Sequence, residues 1–148
     1  MTRRDIRTRP ASEAGFTLVE LMVVVVILGL LATVVMINVL PSQDRAMREK
    51  AKADISTLEQ AVETYRLEML TYPTTAQGLQ ALVQAPAGLS RPERYRDGGY
   101  IRRLPDDPWG QPYQYAYPGE HGRFDVYSFG ADGAKGGEGE DADIGNWN

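Results

Sequence analysis

The sequence predicts an α+β chain in which one long N-terminal helix is laid against a small antiparallel sheet. Three observations carry that expectation. Residues 16–40 are almost wholly apolar. From Met47 to Met69 apolar residues recur at spacings of three and four, the period of one helical face. Near the C-terminus two short aromatic segments are set apart by Pro, Gly and Asp, the punctuation of strands and turns.

The chain begins with Arg3, Arg4, Arg7 and Arg9 against Asp5 and Glu13, a net charge of +2 over residues 1–15. The whole chain carries −4, so removing that leader leaves −6. An acidic remainder argues against nucleic acid as a partner, because phosphate binding needs clustered Lys and Arg. With 148 residues there is room for one small domain plus an anchor.

The apolar run 16–40 follows. From Leu21 to Ala32 every residue is apolar or glycine, and only Thr33 and Asn38 interrupt the rest. About 20 such residues make a helix that crosses the ~30 Å hydrocarbon core. Lipid forces backbone pairing within the segment, so the β-branched run Val23 to Val26 does not oppose helix. The basic leader places itself in the cytoplasm and everything after Leu40 outside. An ordinary secretory signal peptide is disfavoured, because the run is long and no A-x-A-like site follows it.

Glu20 lies one turn inside this segment. A carboxylate at mid-bilayer costs roughly 2.5–3.5 kcal/mol on insertion scales, so an intramembrane acid marks function. A newly freed α-amino group at Phe16, on the same chain or a neighbouring copy, would be a suitable partner. The heptapeptide Ala14-Gly15-Phe16-Thr17-Leu18-Val19-Glu20 closely resembles the processing site of type IV pilins and pseudopilins. The resemblance implies cleavage between Gly15 and Phe16 by a prepilin peptidase, N-methylation of Phe16, and a role for Glu20 in subunit docking.

After Leu40 the helix is expected to continue, with Pro41 breaking or kinking its backbone hydrogen-bond ladder locally. Beyond it Met47, Ala51, Ile55, Leu58, Val62, Tyr65 and Met69 form one apolar stripe over 41–71, with Arg48, Glu49, Lys52, Glu59 and Glu63 largely elsewhere. That stripe reads as core packed on a sheet. Tyr72-Pro73 ends the helix, since a residue before proline disfavours the α region, and residues 72–148 form the head. Thr75 to Val83 reads as a short helix with Leu79, Leu82 and Val83 inward. Pro86 to Gly99 reads as loop. Asp106-Asp107-Pro108 reads as a turn before a strand at Tyr113 to Tyr117. Pro118 to Gly122 is a hairpin-type loop, and Phe124 to Phe129 is a second strand.

The segments Tyr72-Pro73-Thr74-Thr75-Ala76-Gln77-Gly78-Leu79, Asp107-Pro108-Trp109-Gly110 and Asp141-Ala142-Asp143-Ile144-Gly145-Asn146-Trp147 resemble the major pseudopilins of the type II secretion system. With the processing site, the resemblance covers the chain from Ala14 onward. It implies a homopolymeric filament in the periplasm of a Gram-negative bacterium, anchored in the inner membrane before assembly, that drives folded proteins through an outer-membrane secretin. Prepilin peptidase, minor pseudopilins and an inner-membrane assembly platform are the further partners it implies. A surface or DNA-uptake pilin would share the anchor and Glu20. Many such pilins close their C-terminal region with a disulfide, which a chain with no cysteine cannot form.

Cysteine-free exported domains need another device to tie their loops down, and a metal ion is one candidate. The tail holds Asp132, Glu138, Glu140, Asp141 and Asp143 among many glycines, with a single Lys135. Hard oxygen ligands without His or Cys favour calcium, yet the EF-hand spacing is absent and a disordered acidic tail has the same composition. The resemblance implies calcium, held by Asp132, Asp141, Asp143 and the Phe129 backbone carbonyl. Glu138 or Glu140 is a possible substitute, since Ala142 stands where some relatives have an adjacent acid. No catalytic constellation is legible: the single His121 lies in a Gly-flanked turn and reads as solvated, and the Asp106-Asp107 pair reads as a turn.

Overall fold

A computed structural model describes residues 15–148, and the side chains of all of these but 37–42. Helix α1 runs Leu18–Met69, 52 residues. Three short strands follow: β1 (Gln114–Ala116), β2 (Asp125–Ser128) and β3 (Ile144–Gly145). They form one antiparallel sheet in the order β1-β2-β3. The chain divides into two compact units between Leu40 and Pro41. The leader expected over 1–15 lies, apart from Gly15, outside the described residues.

In the first unit Leu18–Met36 has a mean hydropathy of 2.9 over 19 residues, about 28 Å of helix at 1.5 Å per residue. Every side chain in this stretch is exposed. The one hydroxyl in it is satisfied locally, Thr33 Oγ1 donating to the Gly29 carbonyl at 2.9 Å. As expected, the helix continues past Pro41, and α1 is helical on both sides of it. Proline removes a single N–H, and the hydrogen bonds on either side of that gap suffice to carry the helix past it.

The second unit is built on the apolar stripe. Ala51, Ile55, Leu58, Val62, Tyr65 and Met69 are all buried, together with Ala61, while Met47 at the stripe's start is half-buried. They pack with Leu79, Leu82, Phe124, Val126 and Ile144 in one core. α1 stops at Leu70, whose left-handed φ of 62° turns the chain away after a last bond from its N–H to the Arg66 carbonyl at 2.8 Å. A non-glycine residue there costs on the order of 1 kcal/mol.

The helix expected over Thr75 to Val83 is shorter, a 3₁₀ turn at Leu79–Leu82. The reason is Gly78, whose φ of 59° and ψ of −164° lie far from helical values. Leu79 and Leu82 point inward as expected, and Val83 is half-buried. The two expected strands form with trimmed ends, in register Gln114↔Tyr127, Tyr115↔Val126 and Ala116↔Asp125. The third strand, paired Tyr127↔Gly145 and Ser128↔Ile144, was not expected from the sequence.

Tyrosine hydroxyls tie the sheet and loops to their surroundings. Tyr113 donates to Asp54 Oδ2 at 2.9 Å, Tyr115 to the Pro73 carbonyl at 2.9 Å, and Tyr95 to the Ala81 carbonyl at 3.0 Å. Burial raises the pKa of both Tyr113 and Tyr115, so these donors keep their protons.

Candidate processing junction and candidate metal loop

At the N-terminal end, Thr17 and Glu20 form a capping box. Glu20 Oε2 accepts from the Thr17 N–H at 2.8 Å and from Thr17 Oγ1 at 3.0 Å, and Thr17 Oγ1 accepts from the Glu20 N–H at 3.2 Å. This reciprocal pairing satisfies donors that a helix start leaves open. The T-x-x-E spacing was visible in the sequence but was not read as a cap. Phe16 precedes the cap with its ring 83% exposed, and Gly15 has open space around it. The junction Gly15–Phe16 thus sits outside the helix.

The second candidate site is the tail after β2. Asp107, in the turn before β1, anchors its start. This carboxylate is 4% exposed. Its Oδ1 accepts from the Trp109 and Gln111 N–H groups at 3.1 and 2.7 Å, and its Oδ2 from Ser128 Oγ at 2.5 Å. Ser128 Oγ in turn accepts from the Gly130 N–H at 3.1 Å. The turn expected at Asp106-Asp107 is therefore also the tie that fixes where the tail leaves β2.

The tail closes on itself. The Ala131 N–H reaches the Glu140 carbonyl at 3.3 Å and the Asp143 N–H the Gly136 carbonyl at 3.2 Å. Gly130 approaches so closely that a Cβ there would lie 3.0 Å from both the Glu140 and Ala142 carbonyl oxygens. At Gly137 a Cβ would lie 2.4 Å from the Asp141 carbonyl oxygen. Phe129 is thereby brought, one residue before Gly130, towards the 140–142 backbone.

The expected ligands are placed as follows. Asp143 Oδ2 accepts from the Gly136 N–H at 3.0 Å, and its Oδ1 is buried with no donor. Asp132 is exposed and Oδ1 caps its own turn, accepting from the Ala134 N–H at 3.0 Å. Asp141, Glu138 and Glu140 are exposed. Hydrogen bonding and charge from Asp44 on α1 push the Glu140 carboxyl above its ordinary range. Among the described residues no three His, Cys, Asp or Glu side chains converge, so Asp132, Asp141 and Asp143 do not form one cluster. In kind the residues fit a hard cation: an all-oxygen donor set, an orphaned carboxylate oxygen on Asp143, and the Glu140 carboxyl set against Asp44 of α1.

His121 is exposed, as expected, but it is not without partners. Its Nδ1 lies 3.0 Å from Asp125 Oδ2, and its ring stacks on Trp147 with centroids 3.8 Å apart. Asp125, at 3% exposure, also accepts the Glu120 and His121 N–H groups at 2.8 and 3.1 Å. Burial alone would raise its pKa, but the His121 and Glu120 hydrogen bonds outweigh it and hold the carboxyl below its ordinary value. The sequence held no signal for the stacking of His121 on Trp147, which joins residues 26 apart.

An exposed apolar helix and a small helix-and-sheet head are the two units of the pilin-like class of membrane-anchored subunits. The profile of the prokaryotic N-terminal methylation motif matches residues 10–36, and that of type II secretion system (T2SS) protein G matches residues 38–147. The chain is 56% identical over 136 residues to the type II secretion system core protein G of Vibrio cholerae serotype O1, covering 92% of each. It is 52% identical over 135 residues to that of Pseudomonas aeruginosa, covering 91% of this chain and 95% of the relative. The crystal structure of the major pseudopilin from the type 2 secretion system of enterohaemorrhagic Escherichia coli superposes with a TM-score of 0.64 at 47% identity, covering 74% of this chain and 94% of that one. The chain belongs to the protein G family of the type II secretion system.

Proposed function

We propose that the chain is the major structural subunit of a type II secretion pseudopilus. It is cut between Gly15 and Phe16 by prepilin peptidase, methylated on Phe16, and polymerised with copies of itself into a periplasmic filament. The observation that carries this reading is α1: a 19-residue apolar span with every side chain exposed, continuous with a helix whose second part is a packed spine. Such a span suits lipid before assembly and neighbouring spans afterwards. Minor pseudopilins and an inner-membrane assembly platform are the partners that fit, with the head on the periplasmic side. The role is structural rather than catalytic, and the single His121 is committed to Asp125 and Trp147.

Intact mass and N-terminal sequencing of the protein from membranes of its host test the first step. The expected chain starts at a methylated Phe16. Glu20→Ala is expected to insert into the membrane normally and to form no filaments by electron microscopy. Normal filaments from that variant would remove Glu20 from assembly.

The tail loop is the second part of the proposal. Calcium, held by Asp132, Asp141, Asp143 and the Phe129 carbonyl with Glu138 or Glu140 in reserve, would supply charge to a loop crowded with acids. The orphaned Asp143 Oδ1 and the Asp44–Glu140 contact support this reading. Binding only to the folded loop would add to head stability. Chelation is expected to lower the melting temperature of the parent, and Asp143→Ala to abolish that difference. Equal melting in calcium and in chelator would defeat the calcium reading.

A further inference from the structure

Arg48 lies on α1, and the sequence gives it no role beyond the polar side of the helix. In the structure it is half-buried, and one terminal nitrogen of its guanidinium donates to the Gly139 carbonyl at 2.9 Å and the Ala142 carbonyl at 3.3 Å. These carbonyls belong to residues 91 and 94 positions further along the chain, and they bracket Glu140 and Asp141. The contact therefore fixes two peptide groups on either side of the acids that the tail offers to a cation.

That placement matters because little else stiffens this stretch. Gly136, Gly137 and Gly139 have φ values of 101°, 84° and 63°, a region that glycine enters freely and that leaves the unbound loop with large conformational entropy. The loop's own bonds hold its ends together, Ala131 to Glu140 and Gly136 to Asp143. Arg48 ties the same segment to the helix. A charge-assisted bond to two carbonyls is stronger than a neutral one, and α1 offers it from a rigid, packed element.

We propose that Arg48 is the positioning residue of the tail loop: it docks the 139–142 backbone on α1 and so pre-arranges Asp141 and Asp143 for a hard cation. This rests on the calcium reading above and deepens it. Arg48 does not touch the ion. It acts as outer supporting groups do at metal sites, whose loss costs about 10–100-fold in affinity. An opposing effect gives the proposal a sign to be tested. A guanidinium near a divalent cation repels it, so if charge dominated over positioning, removing Arg48 would tighten binding.

The test uses the full chain in detergent micelles, with calcium titrated calorimetrically and amide hydrogen exchange followed in calcium and in chelator. Arg48→Met is expected to weaken calcium binding at least tenfold. It should also speed exchange at Ala131, Asp141 and Asp143, while Val126 in the sheet and Leu58 in α1 exchange as in the parent. Arg48→Lys, which keeps charge and donors, is expected to restore most of the affinity. Parent-like or tighter calcium binding by Arg48→Met would overturn the proposal, as would unchanged loop exchange. If the parent itself binds no calcium, the calcium reading falls and the cation half of the proposal with it. The docking half then stands on faster loop exchange in Arg48→Met and falls on an unchanged rate.

Discussion

The two parts of α1 are the same secondary structure put to opposite uses. From Leu18 to Met36 the side chains are exposed and, apart from Glu20 and Thr33, apolar or glycine, and those two polar side chains are satisfied locally. From Ala51 to Met69 apolar residues occupy one stripe, and that stripe is buried to within a few per cent. The first part is specified by its solvent, which demands internal hydrogen bonds and tolerates any apolar sequence. The second is specified by its neighbours, which demand particular shapes. Interior substitutions should therefore act on the head in the second part and leave it untouched in the first.

The largest contrast is expected from paired truncations. Leu58→Ala removes a side chain that is 1% exposed and should cost the head about 2–5 kcal/mol, seen as a lower melting temperature by near-ultraviolet circular dichroism. Leu28→Ala, at a position 59% exposed, should leave that melting curve unchanged. Equal losses from the two would erase the distinction between the parts.

A smaller effect sharpens the same comparison within the head. Asp107→Ala strands the Trp109 and Gln111 N–H groups and the Ser128 hydroxyl, and is expected to cost about 3 kcal/mol by chemical denaturation. The exposed Asp97→Ala should stay within about 0.5 kcal/mol of the parent.

The smallest effect is pH-dependent. Asp125 has a depressed pKa in the folded head, so its contribution is fully present above the unfolded value of about 3.9 and is lost as pH falls through the folded value. His121→Phe keeps a ring to stack on Trp147 but removes the ring hydrogen bond. It should flatten the loss of stability below about pH 4, and an unchanged acid limb would show that His121 does not hold Asp125 ionised.

Much of the architecture was legible because it depends on local pattern. The apolar run 16–40, the stripe from Met47 to Met69 and the alternation at Phe124 to Phe129 each carry their period within a few turns or residues. The processing junction was legible as a motif for the same reason. The strand β3 was not, because two residues including a glycine have no period, and Ile144 becomes strand only by pairing with Ser128. Gly78 shortened a helix that the composition around it favoured, by adopting a φ of 59°.

The candidate loop divides the same way. Its acids and glycines are composition, which suits a hard cation and a disordered acidic tail alike, and calcium came only as what the resemblance implies. Its closure is not composition: Gly130 against the Glu140 and Ala142 carbonyls, the Asp143 oxygen left without a donor, and Arg48 arriving from α1 are meetings of distant segments. By itself the sequence determined an apolar helix, a start that matches the methylation motif and an acidic tail, because solvent preference and motif spacing act over short stretches of chain. Only the tertiary structure decided that Asp107 fixes the tail's departure, that His121 is held by Asp125 and Trp147, and that a helix arginine holds the loop. Asp107 and Ser128, His121 and Trp147, and Arg48 and Ala142 lie far apart in the chain, and only packing brings them together.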